Sequence, residues 1–203
     1  MDARVTVFLL DYEIDTKKRY YYLYWDGNFQ RARYLNLIKK SQQFQSCIKL
    51  LLNKVMTEDR HTICVAERIT LIDQLFKELP FDSKGRFYRS EPLEKLHNKM
   101  AFATPGKIRD GIDVPFKDCL IMTSPISNIE QMTGRIVRVH ENKKEPIIID
   151  MVDVGCARIR STFFSRKKFY EKKDWPIQYI VCNNGKVAPV EEDLALRIIS
   201  GRK

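Results

Sequence analysis

Short apolar runs alternate along this chain with stretches in which apolar residues recur every three or four positions. Val5 to Leu10 is an apolar run with β-branched residues, bounded by Asp11, and Tyr20 to Trp25 is a second, aromatic run; both predict strands. Phe44, Ile48, Leu51 and Val55 then recur at helical spacing. Thr62-Ile63-Cys64-Val65 has the pattern of a buried strand. It leads into Ile72, Leu75, Phe76 and Leu79, a helical stripe stopped by Pro80. Further on, Phe87-Tyr88 suggests a short strand, and Ser90 a cap for a helix through Leu93 and Leu96. Met100 to Ala103, Leu120 to Met122 and Pro146 to Ile149 are further short apolar runs. Strands apolar on both faces, separated by amphipathic helices, predict an α/β fold with a parallel sheet covered by helices.

The last third differs. Cys156 to Asp174 is basic and aromatic, with Ile159, Phe163 and Tyr170 near helical spacing. Ile177 to Val181 and Lys186 to Val190 flank Asn183-Asn184-Gly185, a hairpin signal because Asn-Gly suits a turn that needs positive φ. Glu191 to Ser200 predicts a final helix. The expected organisation is a core over residues 1–154 and a basic extension of helix and β-hairpin over 155–203.

Composition narrows the class. At 203 residues the chain can bury one proper core plus a small appendage, and 44% hydrophobic with 31% charged residues excludes wholesale disorder. Lys and Arg exceed Asp and Glu by 10, which points to a polyanionic partner, nucleic acid or an acidic membrane surface. Runs such as Cys119 to Met122 and Ile147 to Ile149 are far too short to span a membrane, and Met1 to Arg4 does not open like a signal peptide. Five scattered cysteines without a CxxC pair imply reduced, buried thiols in a cytoplasmic protein. With His61, His97 and His140 standing alone, a zinc site is not expected.

Chemistry concentrates in Gln131-Met132-Thr133-Gly134-Arg135-Ile136-Val137-Arg138. Ser127 and Glu130 have the spacing of a capping box. On a helix starting there, Gln131, Arg135 and Arg138 fall within about 60° of one another, with Ile129, Met132, Thr133 and Ile136 opposite. Gly134 inside a helix costs about 1 kcal/mol against alanine, which implies that the space above it is needed. Two arginines on a helix are most often a solvated face. Held together over a glycine, however, their planar donor forks suit charge building on a transferring phosphoryl group.

Gln131-x-x-Gly134-Arg135-x-x-Arg138 resembles motif six of superfamily-two helicases. Ala103-Thr104, followed by Gly111-Ile112-Asp113-Val114-Pro115, is similar to motif five, and Ile63 to Arg68 with the helix through Leu79 to the motif-four region. The flavour is that of DEAD/DEAH-type DNA helicases of phages and bacteria, more than of DEAD-box RNA helicases. The stretch from Thr104 to Gly111 is one residue longer than in the DEAD-box pattern, so Asp110, Gly111 and Asp113 match less closely than the arginines do.

The resemblance implies a RecA-like domain that supplies arginine fingers in an ATP-dependent motor. Arg138 would be the principal finger, assisted by Arg135. Gln131, Gly134, Gly111 and Asp113 would lie at the nucleotide cleft, and Thr104 and Lys107 would contact the nucleic-acid backbone. ATP and its Mg would be held by a P-loop-containing partner domain, and the substrate would be DNA or RNA, with DNA favoured.

What is missing supports that division. Gly106-Lys107-Ile108 and Gly185-Lys186-Val187 both fail the phosphate-loop pattern. Ile147 to Asp153 looks superficially like the acidic strand of an ATPase. Met151 stands where the catalytic glutamate would be, so a core strand is the better reading. In Arg158 to Tyr170 the phenylalanines are expected to dock the helix, while its cations could either contact a strand or face solvent. Lys17-Lys18-Arg19 and Tyr20-Tyr21-Tyr22 leave the same two possibilities. A rival of a different class is a nucleic-acid-binding or annealing module that keeps the fold without catalysis.

Overall fold

The computed structural model describes residues 2–11, 16–109, 112–183 and 185–201. Its frame is a sheet of eight strands among the described residues. In chain order these are β1 (Arg4–Asp11), β4 (Thr62–Val65), β5 (Lys84–Phe87), β6 (Met100–Ala103), β7 (Cys119–Met122), β8 (Ile147–Asp153), β9 (Ile177–Asn183) and β10 (Lys186–Val190). Across the sheet the order is β10-β9-β1-β8-β7-β4-β6-β5. Every neighbouring pair is parallel except β9 with β10. The expected parallel α/β architecture is present, and the C-terminal hairpin lengthens the same sheet through the pairing of β9 with β1.

Parallel strands need crossovers, and the helices that make them cover both faces. On one face α2 (Arg31–Lys40), α3 (Gln42–Thr57) and α4 (Ile69–Glu78) bury Tyr34, Ile38, Phe44, Ile48, Leu52, Ile72 and Leu75 against Phe8, Leu10, Cys64, Phe102 and Ile121. On the other, α5 (Pro105–Arg109), α6 (Glu130–Ile136), α7 (Ala157–Lys172) and α8 (Glu192–Ser200) bury Ile108, Met132, Ile136, Phe163, Tyr170 and Ile199 against Val5, Val7, Leu9, Ile63, Leu120 and Val152. The helical stripes at Phe44 to Val55 and Ile72 to Leu79 are those of α3 and α4. Ser41 caps α3, its Oγ accepting from the Phe44 N–H at 3.2 Å. All five cysteines are buried, and Cys47 Sγ of α3 meets Cys182 Sγ of β9 at 2.8 Å. No helix among the described residues is long and apolar enough to cross a membrane.

Three local expectations are corrected. Tyr20 to Trp25 is not a strand: α1 (Thr16–Leu23) runs into a two-residue strand, β2 (Tyr24–Trp25), paired with β3 (Asn28–Phe29). Both edges of β1, the strand it follows, are already taken by β8 and β9, so the run cannot pair beside β1. The strand expected at Phe87-Tyr88 lies earlier, over Lys84–Phe87. Ser90 caps no helix; a 3-10 turn over Leu93–His97 starts after Pro92. That turn crosses β5 so closely that a Cβ on Gly85 would meet the Lys95 carbonyl oxygen at 2.1 Å, which explains glycine there. The hairpin turn after Asn183 keeps Gly185 at φ +81°, as the Asn-Gly signal implies, while Asn184 lies outside the described residues.

Buried charge sits inside the sheet and at the amino end of its strands. Asp150 of β8 and Arg166 of α7 are both 1% exposed; Arg166 Nε donates to the carboxylate at 2.7 Å, and the Tyr170 hydroxyl donates to the same carboxylate oxygen at 2.9 Å. The acidic strand is therefore core structure, its aspartate spent on anchoring α7. At the amino end, just ahead of β7, Lys117 is fully buried, donating to the carbonyls of Thr62, Asn98 and Lys99 at 3.3, 2.5 and 3.1 Å. Burial pushes its pKa down from 10.5 to about 7.

Removing one partner of a buried pair leaves the other charge stranded. Arg166→Met should therefore cost about 3–5 kcal/mol in urea unfolding. Replacing Asp150 by Leu as well should recover most of that loss. Lys117 has a folded pKa below its unfolded value. Between about pH 7 and 10.5 the unfolded chain holds a proton that the folded chain has lost, so stability rises with pH across that window. Measured at pH 6.5 and 9.5, the native chain should gain stability relative to Lys117→Met, whereas a constant difference would contradict the burial account.

Candidate functional site

All the parallel strands end at one edge, and the loops leaving β4, β6, β7 and β8 gather there. This carboxyl edge is where open parallel sheets place their ligands. Main-chain bonds fix the loops: the Ala66 N–H donates to Ala103 O at 3.0 Å, and Thr123 reaches Val65 O with its N–H at 3.0 Å and its hydroxyl at 2.9 Å. Thr104 follows β6 directly, and its carbonyl accepts from the Ile108 N–H at 3.3 Å to open α5.

The helix α6 starts later and stops sooner than its sequence implies. Ile129 occupies the cap position and no side chain caps the helix, so Ser127 does not act as a capping residue. Met132, Thr133 and Ile136 form the buried face, and the Thr133 hydroxyl donates back to Ile129 O at 2.9 Å. The helix ends at Ile136, with Val137 as its C-cap, so Arg138 lies two residues beyond the last helical position. Gln131 and Gly134 are exposed, and a Cβ on Gly134 would meet nothing within 4 Å. The space above this glycine is open to whatever approaches from outside the chain.

The two arginines nonetheless converge on one segment. Arg135 donates to the carbonyls of Ile112 and, at 2.9 Å, of Arg109, tying α6 to the end of α5; its Nε is buried without a partner. Arg138 pairs with Asp113 at 2.5 Å, the two side chains being 48% and 68% exposed. A guanidinium clamped on main-chain carbonyls thus stands beside one held, among the described residues, by a solvated carboxylate. Gly111, between those contact points, lies outside the described residues. Lys107 turns away toward β5, its ammonium 5.5 Å from the centre of the Phe87 ring. Thr104 is half-buried at the other end of α5.

Sequence reasoning missed Lys143. Its ammonium donates to the carbonyls of Pro115, Ile136 and Arg138 at 2.7, 2.6 and 2.9 Å. It therefore satisfies the open end of α6 and holds the Arg138 backbone against the loop that carries Asp113. Burial pushes its pKa down to about 8. Nothing local in the sequence distinguishes this lysine from Lys144 beside it, whose ammonium instead binds Glu58 O and Asp59 O at 2.6 and 2.9 Å.

Beside the arginines runs an open groove of about 530 Å³, lined among others by Arg31, Gly106, Arg109, Ser127 and Asn128. Arg31 is anchored to Glu67 and donates to Pro125 O at 2.5 Å. A second groove of about 620 Å³ shares Arg31 and Ser127 and continues to Tyr24, Phe29 and Arg158. Neither Arg31 nor Arg158 carries a motif signature, and only folding brings them together. Among the described residues no cluster of three His, Cys, Asp or Glu side chains could hold a metal ion.

No family model matches the chain. Over 150 residues it is 25% identical to a protein of Acanthamoeba polyphaga mimivirus named "Putative ATP-dependent RNA helicase L396", covering 70% of this chain and 28% of that protein. Over 69 residues it is 36% identical to "Probable helicase D10" of Escherichia phage T5, covering 32% of this chain and 15% of the phage protein. The chain thus spans little more than a quarter of the first relative and less of the second. The crystal structure of T4 UvsW shares the fold with a TM-score of 0.68 at 14% identity, over 90% of this chain and 42% of that one. The ADP-bound RNA-helicase Prp28 from Chaetomium thermophilum follows with a TM-score of 0.53 at 16% identity, over 86% of this chain and 38% of that one. In sequence and in fold, this chain resembles the second RecA-like domain of superfamily-two helicases.

Proposed function

We propose that the chain is the second motor domain of an ATP-dependent helicase or translocase acting on DNA. It would close on a P-loop-containing RecA-like domain, carried by the same longer protein or by a separate subunit. The observation that carries this reading is the convergence of Arg135, Arg138 and Asp113 at the carboxyl edge of the sheet. Residues 1–154 would form the motor core and residues 155–203 its basic extension.

The residues suit a triphosphate presented from across a cleft. ATP, with Mg held by the partner domain, would supply the terminal phosphoryl group. An exposed ion pair contributes at most about 1 kcal/mol, so Arg138 can exchange Asp113 for phosphate oxygens at little cost. A planar guanidinium then stabilises the charge that spreads over those oxygens during transfer. Arg135, already committed to the carbonyls of Arg109 and Ile112, holds α5 and α6 together and adds positive field from behind. Gln131 and the open surface over Gly134 would face the closing partner and Asp113 would edge the cleft, a role the helicase resemblance also implies for Gly111. Thr104, just ahead of the short helix that carries Lys107, lies beside the groove suited to the strand's backbone. Movement of the loop through residues 104–113 would therefore reach both the cleft and the strand.

DNA is preferred because the motif pattern is closest to that of phage and bacterial DNA helicases; the mimivirus relative is named for RNA, which makes RNA the necessary comparison. One observation favours the rival, a non-catalytic binding or annealing module: both arginines already have partners inside the chain. The two readings diverge in the effect of a single substitution.

The isolated chain should turn over no ATP, and the two-domain protein containing it should do so when a DNA strand is present. In that protein Arg138→Ala should lower turnover about a thousandfold or more while leaving ATP affinity nearly unchanged. Normal turnover in the variant would remove the finger assignment and favour the binding module. Lys143→Met should cost about 1 kcal/mol in urea unfolding and raise amide exchange at Arg138 and Val139. It should lower turnover less than Arg138→Ala does, because it displaces the finger without deleting it.

A further inference from the structure

The connection between β1 and α2 holds an unusual surface. Within six residues, Tyr20, Tyr21, Tyr22 and Trp25 are 55%, 78%, 43% and 67% exposed. Water-facing aromatic rings at that density bury little within the chain and mark a contact surface. Tyr20 stacks on Tyr24 with ring centres 4.6 Å apart and planes 19° from parallel. The Arg33 guanidinium lies 5.7 Å from the Trp25 ring, and Arg33 also donates to Tyr22 O at 3.2 Å. Flat rings are thus held in place and interleaved with fixed positive charge.

The patch continues a groove already described. Tyr24 lines the groove that holds Arg158, and this groove shares Arg31 and Ser127 with the one leading to Gly106 and Arg109 beside Thr104. Among the described residues, Glu67 beside this path is taken up by Arg31, and Asp26 sits in the exposed hairpin turn. A basic path therefore runs from the end of β6 to a set of exposed rings. A folded acidic protein would match the charge but would not call for flat rings beside it. An unpaired strand matches both, with phosphates on the guanidinium groups and bases on the rings.

We propose that α1 and the β2–β3 hairpin form a stacking platform for the bases of a single nucleic-acid strand leaving the Thr104 groove. This rests on the reading of the chain as a nucleic-acid motor domain, and it adds an exit site outside the helicase-like motifs. Tyr21 and Trp25 would carry the stacking, with Arg33 and Arg158 fixing the backbone beside them.

The chain itself supplies the probe. It has two tryptophans, and Trp175 is 7% exposed in the core, so Trp25 is the one a ligand can reach. Titration of the 203-residue chain with a single-stranded oligothymidylate should quench tryptophan fluorescence, and Trp25→Phe should abolish the quench. Tyr21→Ala combined with Trp25→Ala should weaken the strand about tenfold or more, at an unchanged salt dependence, because stacking is lost and phosphate contacts are not. Both positions are exposed, so circular dichroism should report an intact fold. Equal affinity for an abasic oligomer, or strand binding without a quench, would overturn the platform and leave the motor reading standing. A quench by polyglutamate or anionic vesicles as strong as that by oligothymidylate would overturn it in favour of another partner. Failure of the chain to bind any oligonucleotide would instead sink the motor reading beneath it.

Discussion

Seven strands of the sheet point the same way, and that single constraint organises the molecule. A parallel ladder cannot be closed by tight turns, so the parallel strands are joined to one another by crossovers packed on one face or the other. Both faces are consumed by helices, and the edge where the strands end collects the loops. Residues far apart in sequence, such as Arg31, Thr104, Asp113, Ser127, Arg138 and Arg158, are brought to one region because their elements are attached to neighbouring parallel strands. Pairing of β9 with β1 lets the C-terminal hairpin lengthen this platform.

Within that edge the two arginines have different mechanical roles. Arg135 is a strut: two carbonyl contacts fix α6 to the loop after α5. Arg138 is held by one exposed carboxylate and is free to change partners at low energetic cost. The short helix is responsible for the contrast. It leaves Arg135 in its last turn and Arg138 in the turn beyond, where Lys143 rather than helical geometry positions the backbone. Rigidity on one side and mobility on the other is what a closing interface requires of its donors.

The distribution of charge refines what composition alone implied. Lys117 and Arg166 are buried and Lys143 partly so, each bonded inside the chain, so part of the basic charge never meets a partner. What remains near the carboxyl edge is arranged along two joined grooves that end on exposed aromatic rings. Net charge suggests a polyanion; the arrangement argues for a strand over a diffuse acidic surface.

The order of strands and helices, the parallel sheet, the two-faced core and the helicase-like motifs were legible in the residues themselves. Each depends on periodicity or on local spacing, and the stripes through α3 and α4, the run at Thr62 to Val65 and the Asn-Gly turn carry that information within a few positions. The poor match of Asp150 to a catalytic strand was legible for the same reason, through Met151 beside it. Other features were not. Tyr20 to Leu23 has the composition of a strand, yet becomes helix because β1 has no free edge, a fact set by β8 and β9 more than a hundred residues away. The start and end of α6, the clamp on Arg135, the Lys143 brace and the joined grooves all rest on contacts between distant segments. Sequence alone determined which chemistry the chain carries and in what order; only the folded sheet decided which of those groups share a surface, because proximity across parallel strands leaves no local trace.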